Sequence, residues 1–200
     1  MRAVTQTVDG RTARSARTRD AVVLAVLELV RAGNPRPTAK EIAARAGISL
    51  RSVYVHFDDL DDLFAAASER QTAAVAHLLD PVDAGHPLRQ RIDEVVGQRS
   101  AIWEELAPVR RAVLVWESSS PTLREGALRS TRRARRDLAR VFATELAPMH
   151  DADRRITLEA LHLATSAAAW EVLRTECGLS VDAAARVVGT TITAVLEATR

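Results

Sequence analysis

The sequence predicts an all-α protein. Three observations carry that expectation. Alanine and arginine are abundant while aromatic residues make up only 4% of the chain, a composition that suits packed helices better than sheets. Apolar residues recur at three- and four-residue spacing, and no alternating run of strand type interrupts them. Proline, glycine and capping residues punctuate the pattern at helix-length intervals. They divide it into about nine helices, four before the break at 80–87 and five after it.

Residues 1–16 are polar, rich in Thr and Arg, and aperiodic, and are expected to form a flexible basic arm. The first helix follows over about residues 18–32, with Val22, Val23, Val26, Leu27 and Val30 on one stripe. Ala32-Gly33-Asn34-Pro35 ends it by Gly and Pro chemistry. Pro37 keeps the residue before it out of the helical region, so no helix runs in from upstream.

The segment from Thr38 to Phe57, TAKEIAARAGISLRSVYVHF, has a more specific pattern. Thr38 and Glu41 stand at capping-box spacing, which starts a short second helix with Ile42, Ala43 and Ala46 on one face. Gly47 supplies a residue that takes a left-handed turn at little steric cost. Ser49 is a good N-cap for a third helix, on which Val53 and Phe57 face one way. Two short helices joined by a glycine turn are either an ordinary helical hairpin or a helix-turn-helix, whose second helix lies in the DNA major groove.

The flanks bear on that choice. The stretches AVVLAVLELVRAG, PTAKEIAARAGIS, VYVHF and DDLFAAA span about residues 17–70. Together they resemble the DNA-binding domain of the tetracycline-repressor (TetR) family of bacterial transcriptional regulators. The resemblance implies a helix-turn-helix domain over 17–64, a fourth helix linking on to about 79, and a ligand-binding and dimerisation domain over 86–200. It implies DNA contacts from Thr38, Lys40, Ser49, Leu50, Arg51, Ser52, Tyr54 and His56. Thr38 would meet a phosphate at a helix N-terminus, and Lys40 a phosphate or a base edge. Arg51 would read guanine bidentately, Leu50 would touch a thymine methyl, and Tyr54 and His56 would hold phosphates. Two positions depart from the family pattern. Arg51 stands where many members have a small residue. Leu60, among Asp58, Asp59, Asp61 and Asp62, stands where many have a lysine that contacts phosphate.

Asp58 or Asp59 caps the fourth helix, expected to run to about Leu79. Asp80-Pro81 through Gly85-His86-Pro87 is the main boundary. Beyond it, helices are expected from Pro87 to about Leu106, from Pro108 past Trp116, from Pro121 to about Leu146, from Asp151 or Asp153 to about Cys177, and from Ser180 to about Glu197. Ala107-Pro108, the loop SSSP at 118–121, Ala147-Pro148 and Gly178 separate them. The resemblance implies an apolar effector pocket in this part, with Trp103, Trp116, Phe142, His162 and Trp170 as candidate lining, although aromatics at helical spacing also serve as plain core. The last two helices are rich in small residues, which permit close approach. The resemblance makes them half of a four-helix dimer interface, with Ala164, Ala168, Leu173, Val188, Ile192 and Val195 as candidate contacts. The run Arg129, Arg132, Arg133, Arg135, Arg136 and Arg140 is read as a solvated helix side rather than a second nucleic-acid patch.

Charge fits a nucleic-acid partner. Residues 1–57 hold ten basic side chains against four acidic ones, on a chain whose net charge is only +2. Cys177 is the single cysteine, which excludes an intrachain disulfide and suits a reducing compartment. Without a signal-peptide or membrane-spanning stretch, a cytoplasmic location is expected, with no membrane partner. No Gly-rich phosphate loop and no GxSxG appear, so an enzyme is not expected, nor a cofactor. The five histidines show no metal-ligand spacing. The expected function is a homodimeric, sequence-specific transcriptional regulator, a repressor released from a double-stranded DNA operator by a small apolar effector. The alternatives are a helical interaction or sensor protein with a weakened helix-turn-helix, and a DNA-binding regulator without an effector.

Overall fold

The computed structural model describes residues 5–117 and 120–198. Among them are ten α-helices and no strand, as the all-α expectation requires. No helix is long and apolar enough to cross a membrane among the described residues. The first four residues of the expected arm, and Ser118 and Ser119 of the expected loop, lie outside the described residues.

The chain forms two compact units that are not consecutive halves of the sequence. The first comprises Met1–Ala74 and Pro108–Gly126, and the second Val75–Ala107 and Ala127–Arg200. Helix α1 (Thr5–Arg31), α2 (Ala39–Ala46), α3 (Leu50–His56) and α4 (Leu60–Ala74) build most of the first unit. The segment expected as an arm is therefore helical from Thr5 onward, continuous with the predicted first helix. Val22, Val26, Ile42, Val53, Phe57 and Leu63 are buried in its core. Phe64 stacks on Trp116, with ring centroids 3.3 Å apart. Arg31 donates to the buried Gln71 at 2.7 Å, tying α1 to α4.

Helix α4 stops at Ala74, short of the expected Leu79, and a single 3₁₀ turn over Ala76–Leu78 follows. Helix α5 (Leu88–Glu117) runs through Pro108, where a break was expected. A proline in a helix interior costs about 3 kcal/mol. Val109, Ala112, Val113 and Trp116, all buried just beyond it, more than offset that, because fully burying one large apolar side chain contributes about 1.5–3 kcal/mol.

The second unit is completed by α6 (Pro121–Val141), which begins in the first unit, α7 (Ala143–Leu146), α8 (Asp151–Ala164), α9 (Ala167–Glu171) and α10 (Val181–Glu197). The sequence suggested one helix to Leu146 and one to Cys177. Each is broken. At the second break the Thr165 hydroxyl donates back to the Leu161 carbonyl at 2.9 Å, and the Ser166 hydroxyl caps α9 by accepting from the Ala169 amide at 3.1 Å. Ser and Thr bonds of this kind compete with helix continuation. A five-residue π-helical segment, Val172–Glu176, then leads to Gly178 at φ 63°. Ser180 caps α10 by accepting from the Ala183 amide.

This unit threads charge through an apolar core of Val95, Leu138, Phe142, Leu161, Trp170 and Ile192. Arg91 and Glu145, both buried, form a bidentate pair at 2.8 and 2.7 Å. The same guanidinium also donates to the carbonyls of Val141 and His86. Arg99 pairs with Asp137 at 3.2 Å, and Arg140 ties Asp137 to the Val82 carbonyl.

Candidate nucleic-acid interface

Helices α2 and α3 are positioned by local chemistry visible in the sequence. The Thr38 amide donates to the Glu41 carboxylate at 2.7 Å, while the Glu41 amide donates to the Thr38 hydroxyl at 3.3 Å. This reciprocal box holds the Glu41 carboxyl below its ordinary range, chiefly through the Thr38 amide and then its hydroxyl. Gly47, at φ 69° and ψ 31°, ends α2, and its amide and that of Ile48 donate to the last carbonyls of the helix. Any side chain at this position would be strained in the left-handed region. Ser49 then caps α3 by accepting from the Ser52 amide at 3.1 Å.

Helix α3 is held from one side. Val53 is 1% exposed and Phe57 closes the helix inside the core, with the Arg19 guanidinium 4.6 Å from the Phe57 ring centroid. The opposite side faces outward. Leu50, Arg51 and Tyr54 are exposed, and Ser52 and His56 are half-buried. Thr38, Lys40 and Ser49 add exposed groups beside them. All eight candidate DNA contacts therefore belong to α2, α3 and their caps, on the first unit.

They differ in what they can offer. Lys40 and Arg51 make no ion pair among the described residues, so both cations are open to a phosphate or a base. The Thr38 hydroxyl donates to the Glu41 carboxylate at 2.7 Å, and the Ser49 and Ser52 hydroxyls bond each other at 2.8 Å. The Thr38 hydroxyl must change partners to donate to a nucleic acid, whereas one of the two serine hydroxyls keeps its proton free. The sequence reading missed Val55. It lies four residues beyond Arg51, on the same outward line, and is 71% exposed. Its signal was the i, i+4 spacing from Arg51 on a helix whose buried residue is Val53.

The aspartates after α3 have a local explanation. The Asp59 carboxylate accepts from the Asp62 amide at 2.8 Å and caps α4, and Asp61 and Asp62 occupy its first turn, where the helix dipole favours negative charge. Leu60 is half-buried against the first core.

Of the five candidate pocket residues, Trp116 belongs to the first unit and the other four to the second. Trp116 is in the first unit, stacked on Phe64. The Trp103 indole donates to the Thr165 carbonyl at 2.9 Å, and the Thr165 hydroxyl lies 3.3 Å from the backbone carbonyl of His162. The Trp170 indole donates to Glu104, the neighbour of Trp103, at 2.8 Å. Phe142 lies under the Arg91 guanidinium, 5.8 Å from its ring centroid. Arg91 is twelve residues before Trp103 on α5, about 18 Å along the axis. The His162 Nδ1 is buried without a hydrogen-bond partner, and burial is the leading cause that lowers the pKa of this ring.

Of the candidate interface residues, Val188 and Ile192 are buried in the second unit's own core. Ala164, Leu173 and Val195 are half-buried and Ala168 is exposed. The exposed apolar side chains nearby are Ile156 and Leu163 on α8, Val172, and Val181 and Val187 on α10. Along α6, Arg129, Arg132, Arg133, Arg135 and Arg136 line an open groove of about 690 Å³ with Ala139 and Leu158, and Arg135 pairs with Glu159.

Residues 27–67 match the family model of the bacterial regulatory proteins, tetR family. No curated protein matches the sequence. Solved structures do match. A transcriptional regulator from Rhodococcus sp. Rha1 is 19% identical, with 90% of this chain and 96% of that one covered and a TM-score of 0.71. A TetR transcription regulator from Haloarcula marismortui is 16% identical, with 92% and 98% covered and a TM-score of 0.66. The multidrug binding protein EbrR, solved with imidazole, is 19% identical, with 87% and 94% covered and a TM-score of 0.60. The helix-turn-helix lies inside the segment that matches the tetR family model, and the chain has the fold of these solved structures.

Proposed function

We propose that the chain is a homodimeric repressor that binds a roughly palindromic operator sequence-specifically and is released from it by a small apolar effector. The observation that carries the DNA-binding part is the outward face of α3, whose unpaired Arg51 is presented by Val53 and Phe57 from behind. Thr38, Lys40, Ser49, Leu50, Arg51, Ser52, Tyr54 and His56 are its contacts. Two α3 helices related by a two-fold axis enter successive major grooves, with half-site centres about 34–36 Å apart. Location follows from the partner: the cytoplasm, on the nucleoid when DNA is bound.

The pairing surface is drawn through the exposed apolar residues of α8 and α10, with Ala164, Ala168, Leu173 and Val195 alongside. Val188 and Ile192 support it from within. The effector reading is supported by the buried His162 Nδ1, which has no hydrogen-bond partner, in the unit that also holds Trp103, Phe142 and Trp170. EbrR shows that one protein of this fold takes up an imidazole. An effector acts only by binding one arrangement of the dimer better than another.

The test is a mobility-shift titration on DNA from upstream of the gene, at two salt concentrations. A regulator binds with a steep salt slope and loses binding in the Arg51→Ala, Tyr54→Ala double variant. Binding indifferent to sequence and to both changes would leave the rival reading, a helical sensor with a weakened helix-turn-helix. The acidic run Asp58–Asp62 motivates that rival. A panel of apolar compounds added to the bound complex tests release, and no release by any of them favours a regulator without an effector.

A further inference from the structure

Val55 is the most exposed large apolar side chain among the described residues, at 71%. It stands on the outward face of α3, part of the surface assigned to DNA. An α-helix turns 100° per residue, so Arg51 and Val55, two residues either side of the buried Val53, both point away from the core and lie about 40° apart. Water is a poor neighbour for a branched hydrocarbon at this position, and no side chain of its own chain covers it. In the major groove one apolar group is displayed on base edges, the thymine C5-methyl.

We propose that Val55 packs against a thymine methyl and makes α3 select a thymine close to the guanine read by Arg51. This rests on the DNA-binding reading above and adds the operator chemistry to it. Four residues span about 6 Å of helix axis, and base pairs are stacked about 3.4 Å apart. The selected thymine therefore lies within about two base-pair steps of that guanine. The surrounding surface suits a duplex over an apolar protein partner: Arg51, one turn back on the same face, carries a positive charge that no ion pair among the described residues neutralises.

The full chain is used to select duplexes from a random library. Affinities are then measured by fluorescence anisotropy for wild type and Val55→Ala, each on the selected duplex and on the same duplex with deoxyuridine in place of the thymine. Loss of the methyl should weaken wild type about fourfold. Val55→Ala should weaken thymine DNA by a similar or larger factor, and uracil should then cost the variant nothing more. An unchanged melting temperature of Val55→Ala checks that the fold is intact. Three results overturn the inference: no thymine within two steps of the guanine whose selection Arg51→Ala relaxes, no effect of uracil on wild type, or equal effects of uracil on both proteins. In each of these cases specific binding that Arg51→Ala weakens still upholds the DNA-binding reading. If no sequence is selected at all, that reading fails and the inference with it.

Discussion

The two cores are built on different plans. The first unit is largely apolar inside, with the buried, neutral Gln71 held by Arg31, and its capping devices lie at the surface: the Thr38–Glu41 box, the Ser49 cap and the Asp59 cap. The second unit runs guanidinium groups between its helices, with Arg91 bonded to Glu145 and two carbonyls and Arg99 to Asp137. The difference teaches what each plan secures. Capping bonds fix where a short helix starts and stops, which is what a seven-residue presenting helix needs. Buried ion pairs have exacting geometry, and the cost of desolvating them offsets much of their attraction, so they add less net stability than their short distances suggest.

The largest effect expected is at Glu145. Glu145→Ala leaves Arg91 buried and uncompensated, which costs about 3–5 kcal/mol in urea unfolding followed by circular dichroism. The double variant Arg91→Met, Glu145→Leu should recover most of that loss. If it is as unstable as the single variant, the pair is a stability device and the contrast between the two cores dissolves. In the first unit the comparable cost comes from a cavity: Leu63→Ala, at a fully buried site, should lose about 3 kcal/mol in the same assay. A smaller loss of about 1 kcal/mol is expected for Thr38→Ala, which removes the cap of α2.

Acidification should separate the units more finely. His162 is harder to protonate in the folded chain than in the unfolded one, so its contribution is fully present above its ordinary value of 6.5 and falls away as pH drops below that. Glu41 has a depressed pKa, so its contribution is present above 4.5 and is lost only at lower pH. Melting temperatures across this range should show a first decline that His162→Gln removes and a later one that Glu41→Gln removes. A single decline untouched by either variant would mean that other groups dominate.

Much of the first unit was legible because its signals are local. Thr38, Glu41, Gly47 and Ser49 act on neighbours within three or four residues, and each does in the structure what its spacing implied. Val55 escaped because exposure had to be known before an apolar residue on α3 could be read as part of a surface. The rest of the chain was read less well. Pro108 marks a break only if the helix beyond it has nothing to bury, and the partners of Val109, Val113 and Trp116 lie far away in sequence. Thr165 and Ser166 looked like ordinary helix residues, and their back-bonding is decided by local competition that periodicity does not register. The five pocket candidates shared a residue class, and a class alone does not say which core a side chain joins: Trp116 belongs to the first, and Phe142 and Trp170 to the second.

One consequence follows from how little of α3 is spent on holding it. Val53 is its single fully buried residue, and the caps belong to Ser49 and Phe57 at its ends. The identities at 50, 51, 54 and 55 are therefore nearly unconstrained by folding. On the reading proposed above, this is an address label that drift or an engineer can rewrite by point changes, retargeting the protein to new sequences while the scaffold beneath stays as it is.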